Sequence, residues 1–301
     1  MTAGGRSVPL TAFLVGMVGI ALFSVMDAVM KGLVLAIGTY ATLFWRSLVS
    51  VSLSSALYLP RRAGWPSRAT LKLHLGRGVL TTIMGVLFFW GLGRVPLAQA
   101  IALAFIAPLI AIYLAAAVLH EQVGKRTVAA SFVAFAGVLM IFAGQARADL
   151  GREAMVGSLA ILLSAVCYAV NIIMMRRQSL AAGPVEIGFF QNGTVAVMML
   201  AAWPLIGMQV PDAANWLWIV VAAALSTGSL MILSWSYARA EASYLATTEY
   251  TSFLWAALFG WIFFREPVSL FTLAGAAMIV AGCILAARTP QEADPSLEVA
   301  A

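Results

Sequence analysis

The stretch HEQVGKRTVAASFVAFAGVLMIFAG, residues 120–144, returns 145 positions later as REPVSLFTLAGAAMIVAGCILAA, residues 265–287. Each copy opens with a Glu in its second position, runs into an apolar stretch of helical length and carries a Gly deep inside it. Recurrence at a fixed offset is the signature of a duplicated structural unit. We therefore predict that the chain contains two copies of one helical unit.

The same offset relates residues outside this stretch. FFQN at 189–192 falls on FWRS at 44–47, and at an offset of 144 Asn171 falls on Asp27. The repeat therefore covers most of the chain. The aligned pairs are Trp90 and Trp235, Arg94 and Arg239, Glu121 and Glu266, Val123 and Val268, Thr127 and Thr272, Ala136 and Ala281, and Gly137 and Gly282.

Composition places these units in a membrane. The 301 residues are 62% hydrophobic and 10% charged, against about 25% charged in soluble domains. Apolar stretches of about 20 residues, the length that crosses a bilayer, recur along the chain. We predict an all-α integral membrane protein with ten transmembrane helices. Their predicted ranges are 9–33, 40–60, 74–94, 96–119, 126–145, 156–178, 184–207, 213–238, 242–264 and 268–288.

The connectors between these helices predict the orientation, because cytoplasmic loops retain Lys and Arg. Alternate connectors are rich and poor in basic residues, which predicts that both termini lie in the cytoplasm. A five-helix unit has an odd number of spans, so the second unit is inverted relative to the first. The repeats are predicted at 8–145 and 156–288, followed by a cytoplasmic tail at 289–301. The inner set is Arg6, Arg61, Arg62, Arg68, Lys72, Arg77, Lys125, Arg126, Arg176, Arg177, Arg239 and Arg288, and the outer set is Lys31, Arg94, Arg147, Arg152 and Arg265.

The doubled segment, with a Glu opening the last helix of each unit and a Gly within it, resembles the EamA-type unit of the drug/metabolite transporter superfamily. Within it, the chain is similar to amino-acid exporters of the YddG type. The resemblance implies a central cavity walled by helices 1, 3, 4, 6, 8 and 9, with helices 5 and 10 as outer support. It also implies secondary export of small amphipathic metabolites, amino acids and aromatic ones among them, across the bacterial inner membrane by alternating access.

Four repeat-symmetric residues are predicted to be structural. Glu121 and Glu266 precede their helices, where an acidic side chain favours the positive helix end, and loss of such a cap costs about 1 kcal/mol. Arg94 and Arg239 end helices 3 and 8, where a cation favours the negative end. Pro267 is expected at the first helical position.

Polar residues inside the spans are candidates for the cavity. Asp27 and Lys31 stand four apart, the spacing of an intrahelical pair, and they either neutralise each other or line the transport path. Asn171 keeps a polar group at the equivalent position, with Tyr168 on the same face. Glu249 breaks the repeat symmetry, and it either binds a substrate ammonium group or proton, or bonds to neighbouring hydroxyls.

The remaining cavity candidates are Gln99 and Tyr244, at equivalent positions of helices 4 and 9, and the aromatic side chain of Phe88. Aromatic residues of membrane proteins also serve as packing or interface groups. We expect only part of this set to contact a substrate.

No enzyme is expected. His120 and Glu121 begin an HExxH-like pattern, but residue 124 is Gly, so a second zinc ligand is absent. No metal, cofactor or nucleic acid is predicted, and the partners are a small-molecule substrate and lipid. A monomer is expected, with a homodimer through the small-residue faces of helices 5 and 10 as the alternative. Alternative functions are the export of cationic drugs or other metabolites, a receptor or assembly role, and an intramembrane enzyme.

Overall fold

The computed structural model describes residues 7–60, 64–119, 125–147, 151–179, 181–207, 209–237 and 248–287. Over these residues the chain is helical and has no strand, which confirms the all-α prediction. Five helices, α1, α2, α6, α7 and α8, are long and apolar enough to cross a membrane. In chain order the helices are α1 Ser7–Tyr58, α2 Arg68–Leu92, α3 Leu97–Ala104, α4 Ala107–Leu119, α5 Lys125–Arg147, α6 Gly151–Ser179, α7 Pro184–Ile206, α8 Ala213–Tyr237, α9 Ser252–Phe264 and α10 Leu270–Ala287.

The first two predicted helices are joined within α1. No loop separates them, and the chain changes direction at Gly38, whose φ of 79° and ψ of 160° are not helical. A residue with a Cβ would be strained at this φ, so glycine permits the break. The sequence analysis ended one helix at 33 and began the next at 40, whereas in the structure a single residue, Gly38, is enough to make the break.

The fourth predicted helix is interrupted. α3 ends at Ala104 and α4 begins at Ala107, with Phe105 and Ile106 between them. Pro108 has no N–H to donate to the Ala104 carbonyl four residues earlier, so a continuous helix would lose that hydrogen bond and meet the proline ring. The proline therefore explains the break.

The ninth predicted helix is interrupted at the equivalent position of the second repeat. Thr248 and Glu249 are helical, Tyr250 and Thr251 form a turn, and α9 begins at Ser252. The Thr251 hydroxyl donates to the Thr248 carbonyl and the Ser252 hydroxyl to the Glu249 carbonyl, each at 2.6 Å. The Thr248 carbonyl also accepts from the backbone N–H of Thr251 at 3.0 Å, so side chains and backbone together satisfy carbonyls at the break.

Helices α5 and α10 pack backbone to backbone. A Cβ on Gly137 would lie 2.6 Å from the Gly275 carbonyl oxygen, and one on Gly282 would lie 2.7 Å from that of Ala130. The offset of 145 converts the first contact into the second, so a pseudo-twofold relation joins the two helices. Their small residues are thus used within the chain, as expected of close helix packing in lipid.

The other helices pack across the two halves of the chain. α1 lies against α7 and α8, while α2 lies against α6 and α7. Apolar side chains from both halves form a single buried cluster. The polar side chains buried among them are described next.

Candidate functional site

An acidic and a basic side chain, Asp27 and Arg46, lie on the two segments of α1. The Asp27 side chain is 4% exposed, and within the described part of the chain its Oδ1 has no hydrogen-bond partner. Arg46, which lies beyond the Gly38 break, interacts electrostatically with Asp27. Arg46 donates to the Ser226 hydroxyl of α8 at 3.4 Å, and its Nε is buried without an acceptor in the described residues. The pair therefore has hydrogen-bonding capacity that the described chain does not use.

Lys31 does not form the expected pair with Asp27. Its Nζ donates to the Val95 carbonyl at 2.7 Å and to Glu266 Oε1. The other oxygen of Glu266 accepts from the backbone N–H of Leu97 at 2.8 Å. One carboxylate thus ties α1 and the start of α3, both in the first repeat, to the second repeat.

The capping prediction for Glu266 is corrected by this geometry. α10 begins at Leu270, beyond both Glu266 and Pro267, so neither residue opens it. The Ser269 hydroxyl instead accepts from Thr272 N at 3.0 Å and caps the helix. Glu266 acts at the N-terminus of a different helix, α3.

Arg94 lies two residues after the end of α2 at Leu92. Its guanidinium donates to the Trp90 carbonyl at 3.0 Å and stacks on the Trp90 ring 3.5 Å from the ring centroid. It also pairs with Glu153, in the first turn of α6, at 2.8 Å. The arginine therefore binds the carbonyl end of one helix and an acidic residue at the start of another. Glu121 and Arg239, the repeat equivalents of Glu266 and Arg94, were also predicted to be structural and lie outside the described residues.

A polar chain crosses from α2 to α6 and α7 at the opposite end of α2. Arg77 Nε donates to Asn171 Oδ1 at 2.8 Å, and Arg77 also donates to Gln178 Oε1. The Gln178 amide contacts His74 Nδ1, and His74 Nε2 lies 3.0 Å from Glu186 Oε1. All of these side chains except Glu186 are at most 5% exposed.

Aromatic side chains enclose the Glu186 end of this polar chain. The Tyr58 hydroxyl lies 3.2 Å from Glu186 Oε2. The Phe190 ring stacks on the His74 ring with centroids 4.7 Å apart. A surface cavity of about 250 Å³ reaches this point and is lined by Tyr58, Glu186 and Trp65 among others. Solvent therefore reaches Glu186 and stops short of the buried histidine.

The sequence analysis missed His74, Gln178 and Glu186, and it counted Arg77 as a loop charge. Helical spacing offered a signal, since His74 and Arg77 are three apart on α2. Asn171 and Gln178 are likewise seven apart on α6, so each pair lies on one helix face. The charge count obscured this, because a basic residue near a span end also fits the positive-inside pattern.

The other predicted cavity residues lie in separate contacts. Gln99 is 3% exposed and donates to Ser158 of α6 at 3.3 Å. Tyr168 is half-buried and interacts electrostatically with Arg77. Phe88 is half-buried and packs edge to face with its neighbour in the apolar cluster. Tyr244 lies outside the described residues.

Glu249 lies beside the break that precedes α9. It is half-buried, and the next residue, Tyr250, contacts Phe105 edge to face with ring centroids 5.3 Å apart. Phe105 and Tyr250 are equivalent in the two repeats, so a residue touches its own repeat partner there. Such a contact lies on the pseudo-twofold axis, which places both breaks at the junction of the repeats.

These features are those of a multi-pass membrane protein built from two repeats. The family comparison agrees, since residues 10–143 and 155–288 each match the EamA-like transporter family. The chain belongs to that family, and the predicted resemblance and repeat architecture are confirmed.

Named relatives transport different compounds. The chain is 30% identical to the pseudopaline exporter of Pseudomonas aeruginosa, over 89% of this chain and 92% of that protein. It is 24% identical to a riboflavin transporter of Brucella anthropi, over 81% and 86% of the two chains. A solved structure with 20% identity superposes with a TM-score of 0.61 over 93% of this chain and 99% of the other, which supports the fold.

Proposed function

We propose that the protein exports small zwitterionic metabolites of the amino-acid type, aromatic ones included, across the bacterial inner membrane by alternating access. The observation that carries the proposal is the juxtaposition of the buried Asp27 and the half-buried Arg46, which present a carboxyl and a guanidinium group with unused hydrogen-bonding capacity. The pseudopaline exporter supports the outward direction. The relatives transport different compounds, so the substrate class is inferred from the Asp27 and Arg46 side chains.

The two charges match the two ends of a zwitterion. A guanidinium presents a planar fork of donors to a carboxylate, so Arg46 would bind the substrate carboxylate. Asp27 would accept hydrogen bonds from the substrate ammonium group. Ionisable side chains inside a membrane bundle are costly and mark functional sites, whereas each charge here would be compensated when a substrate binds.

Glu249 is the second proposed contact. It stands next to the break before α9, and interrupted helices at corresponding positions of two repeats mark binding sites in transporters. Its carboxylate would stabilise a substrate ammonium group or carry a proton. Phe88, Gln99, Tyr168, Asn171 and Tyr244 remain predicted cavity residues.

The test is flux through the purified protein in liposomes. Labelled leucine and phenylalanine, their amine analogues without a carboxylate, and their N-acetylated analogues should be compared with pseudopaline and riboflavin. We expect flux only for compounds with both charges, and a loss of at least tenfold in Asp27→Asn and Arg46→Gln. The matched control is Glu153→Gln, at a surface ion pair. Equal flux of the singly charged analogues, or flux of riboflavin alone, would refute the zwitterion proposal.

A further inference from the structure

The polar chain between α2 and α6 fixes the protonation state of His74. Arg77 can only donate hydrogen bonds, so the Gln178 atom that faces it must be the oxygen. The Gln178 NH2 group then faces His74 Nδ1 and donates to it. Nδ1 therefore carries no proton, and the ring proton is on Nε2, which donates to Glu186 at 3.0 Å. The imidazole is neutral in this arrangement.

A second proton on His74 is incompatible with the same arrangement. With Nδ1 protonated, the imidazole and the Gln178 NH2 group would be two donors facing each other. Gln178 could accept from the imidazolium only by turning its amide, and its NH2 group would then face the guanidinium of Arg77. Either way, one bond between α2 and α6 is lost.

The surroundings favour a proton that arrives through Glu186. The Glu186 carboxylate is partly exposed in the surface cavity and contacts the buried ring directly. It would pair with the imidazolium, and the stacked Phe190 ring would stabilise a cation. Arg77 opposes the added charge, one side chain further away. In the described chain, the charged or titratable groups around His74 come from four helices. Glu186 of α7 contacts the ring directly, and Tyr58 of α1 contacts Glu186. Arg77 of α2 acts through Gln178, and Tyr168 of α6 acts through Arg77.

We propose that His74 is a proton-binding site and that its protonation breaks one of the two hydrogen bonds that tie α2 to Gln178 of α6, which loosens the contact between these helices. Imidazole is the side chain that ordinarily changes charge between pH 5 and 8, which is the range that the experiment covers. The bond between Arg77 and Asn171, which is seven residues before Gln178 on α6, is unaffected. Only the end of α2 near His74 then separates from α6. The basic connectors predict that this end faces the cytoplasm, and transport would then respond to cytoplasmic pH.

The experiment measures the distance between α2 and the end of α6 in the full chain, without any substrate. Ala69 and Ala181, both exposed on this side, are replaced by Cys in a Cys167→Ala, Cys283→Ser background. Spin labels on these sites are measured by double electron–electron resonance in lipid nanodiscs. We expect a longer distance whose population relative to the short one rises about tenfold or more between about pH 8 and about pH 5.5. Each unit of pH changes the ratio of protonated to neutral imidazole tenfold.

Two variants isolate the proposed switch. His74→Gln has nothing to titrate and should keep the short distance throughout. Gln178→Glu presents a carboxylate that accepts from Arg77 and from an imidazolium together, so it should also keep the short distance even if His74→Gln fails to fold. Glu153→Gln should retain the pH response of the parent protein. A parent distance that does not change with pH, or an unchanged response in Gln178→Glu, would overturn the proposal.

Discussion

Replacing Glu266 by Ala should destabilise the protein far more than the loss of a helix cap. The substitution leaves Lys31, which is 2% exposed, as a buried cation without its carboxylate. Removing one partner of a buried ion pair costs about 3–5 kcal/mol, whereas removing a cap costs about 1 kcal/mol. The backbone N–H of Leu97 also loses its acceptor. We therefore expect a loss of about 3–5 kcal/mol.

The assay is thermal unfolding of the purified protein in detergent, followed by intrinsic fluorescence. At about 2 °C per kcal/mol, Glu266→Ala should lower the Tm by about 6–10 °C. The control is Glu153→Ala, which removes a mostly exposed ion pair that is worth at most about 1 kcal/mol. Lys31→Met combined with Glu266→Gln should recover part of the loss, because no buried charge then lacks a partner. A Tm drop in Glu266→Ala no larger than in Glu153→Ala would refute the central role of the pair.

Three further predictions concern the binding site, the helix contact and the orientation. Glu249→Gln keeps the size of the side chain and removes its charge, so flux in liposomes should fall or lose its pH dependence at normal protein yield; an unchanged flux and pH profile would make Glu249 structural. Gly137→Leu and Gly275→Leu should each abolish stable folding, measured as monodisperse yield, because even a Cβ would lie 2.6 Å from a facing carbonyl; normal yield would contradict the close contact. Reporter fusions after Arg62 should give a cytoplasmic signal and those at Asp212 an external one, and the reverse result would invert the predicted topology.

Helical class and repeat architecture could be predicted from the sequence, and the small-residue faces of helices 5 and 10 indicated close packing without identifying α5 and α10 as partners of each other. Each depends on a pattern that is local or periodic: apolar length, a constant offset, and small residues at Gly137 and Gly275. The Pro108 break could also have been predicted from chemistry alone. The matching break at Tyr250 has no proline, so the sequence gives no comparable local signal.

Pairing across the bundle could not be predicted. Lys31 and Glu266 are 235 residues apart, while helical spacing offered Asp27 as a partner four residues away. The actual choice depends on how the first segment of α1, the start of α3 and the end of α9 meet in three dimensions. Arg77 shows the same limit, because a cation at a span end fits both a topology signal and a buried hydrogen-bond network, and only the contacts with Asn171 and Gln178 distinguish them.

The ring contact between Phe105 and Tyr250 has a mechanical consequence. In a transporter whose two states arise when the repeats exchange conformations, a contact between equivalent residues maps onto itself and is the same before and after the exchange. The contact can therefore stay fixed while the remaining helices tilt about it. Substitutions there should weaken both states alike and leave their ratio unaltered. A covalent tether at this point would therefore strengthen the molecule without arresting its cycle.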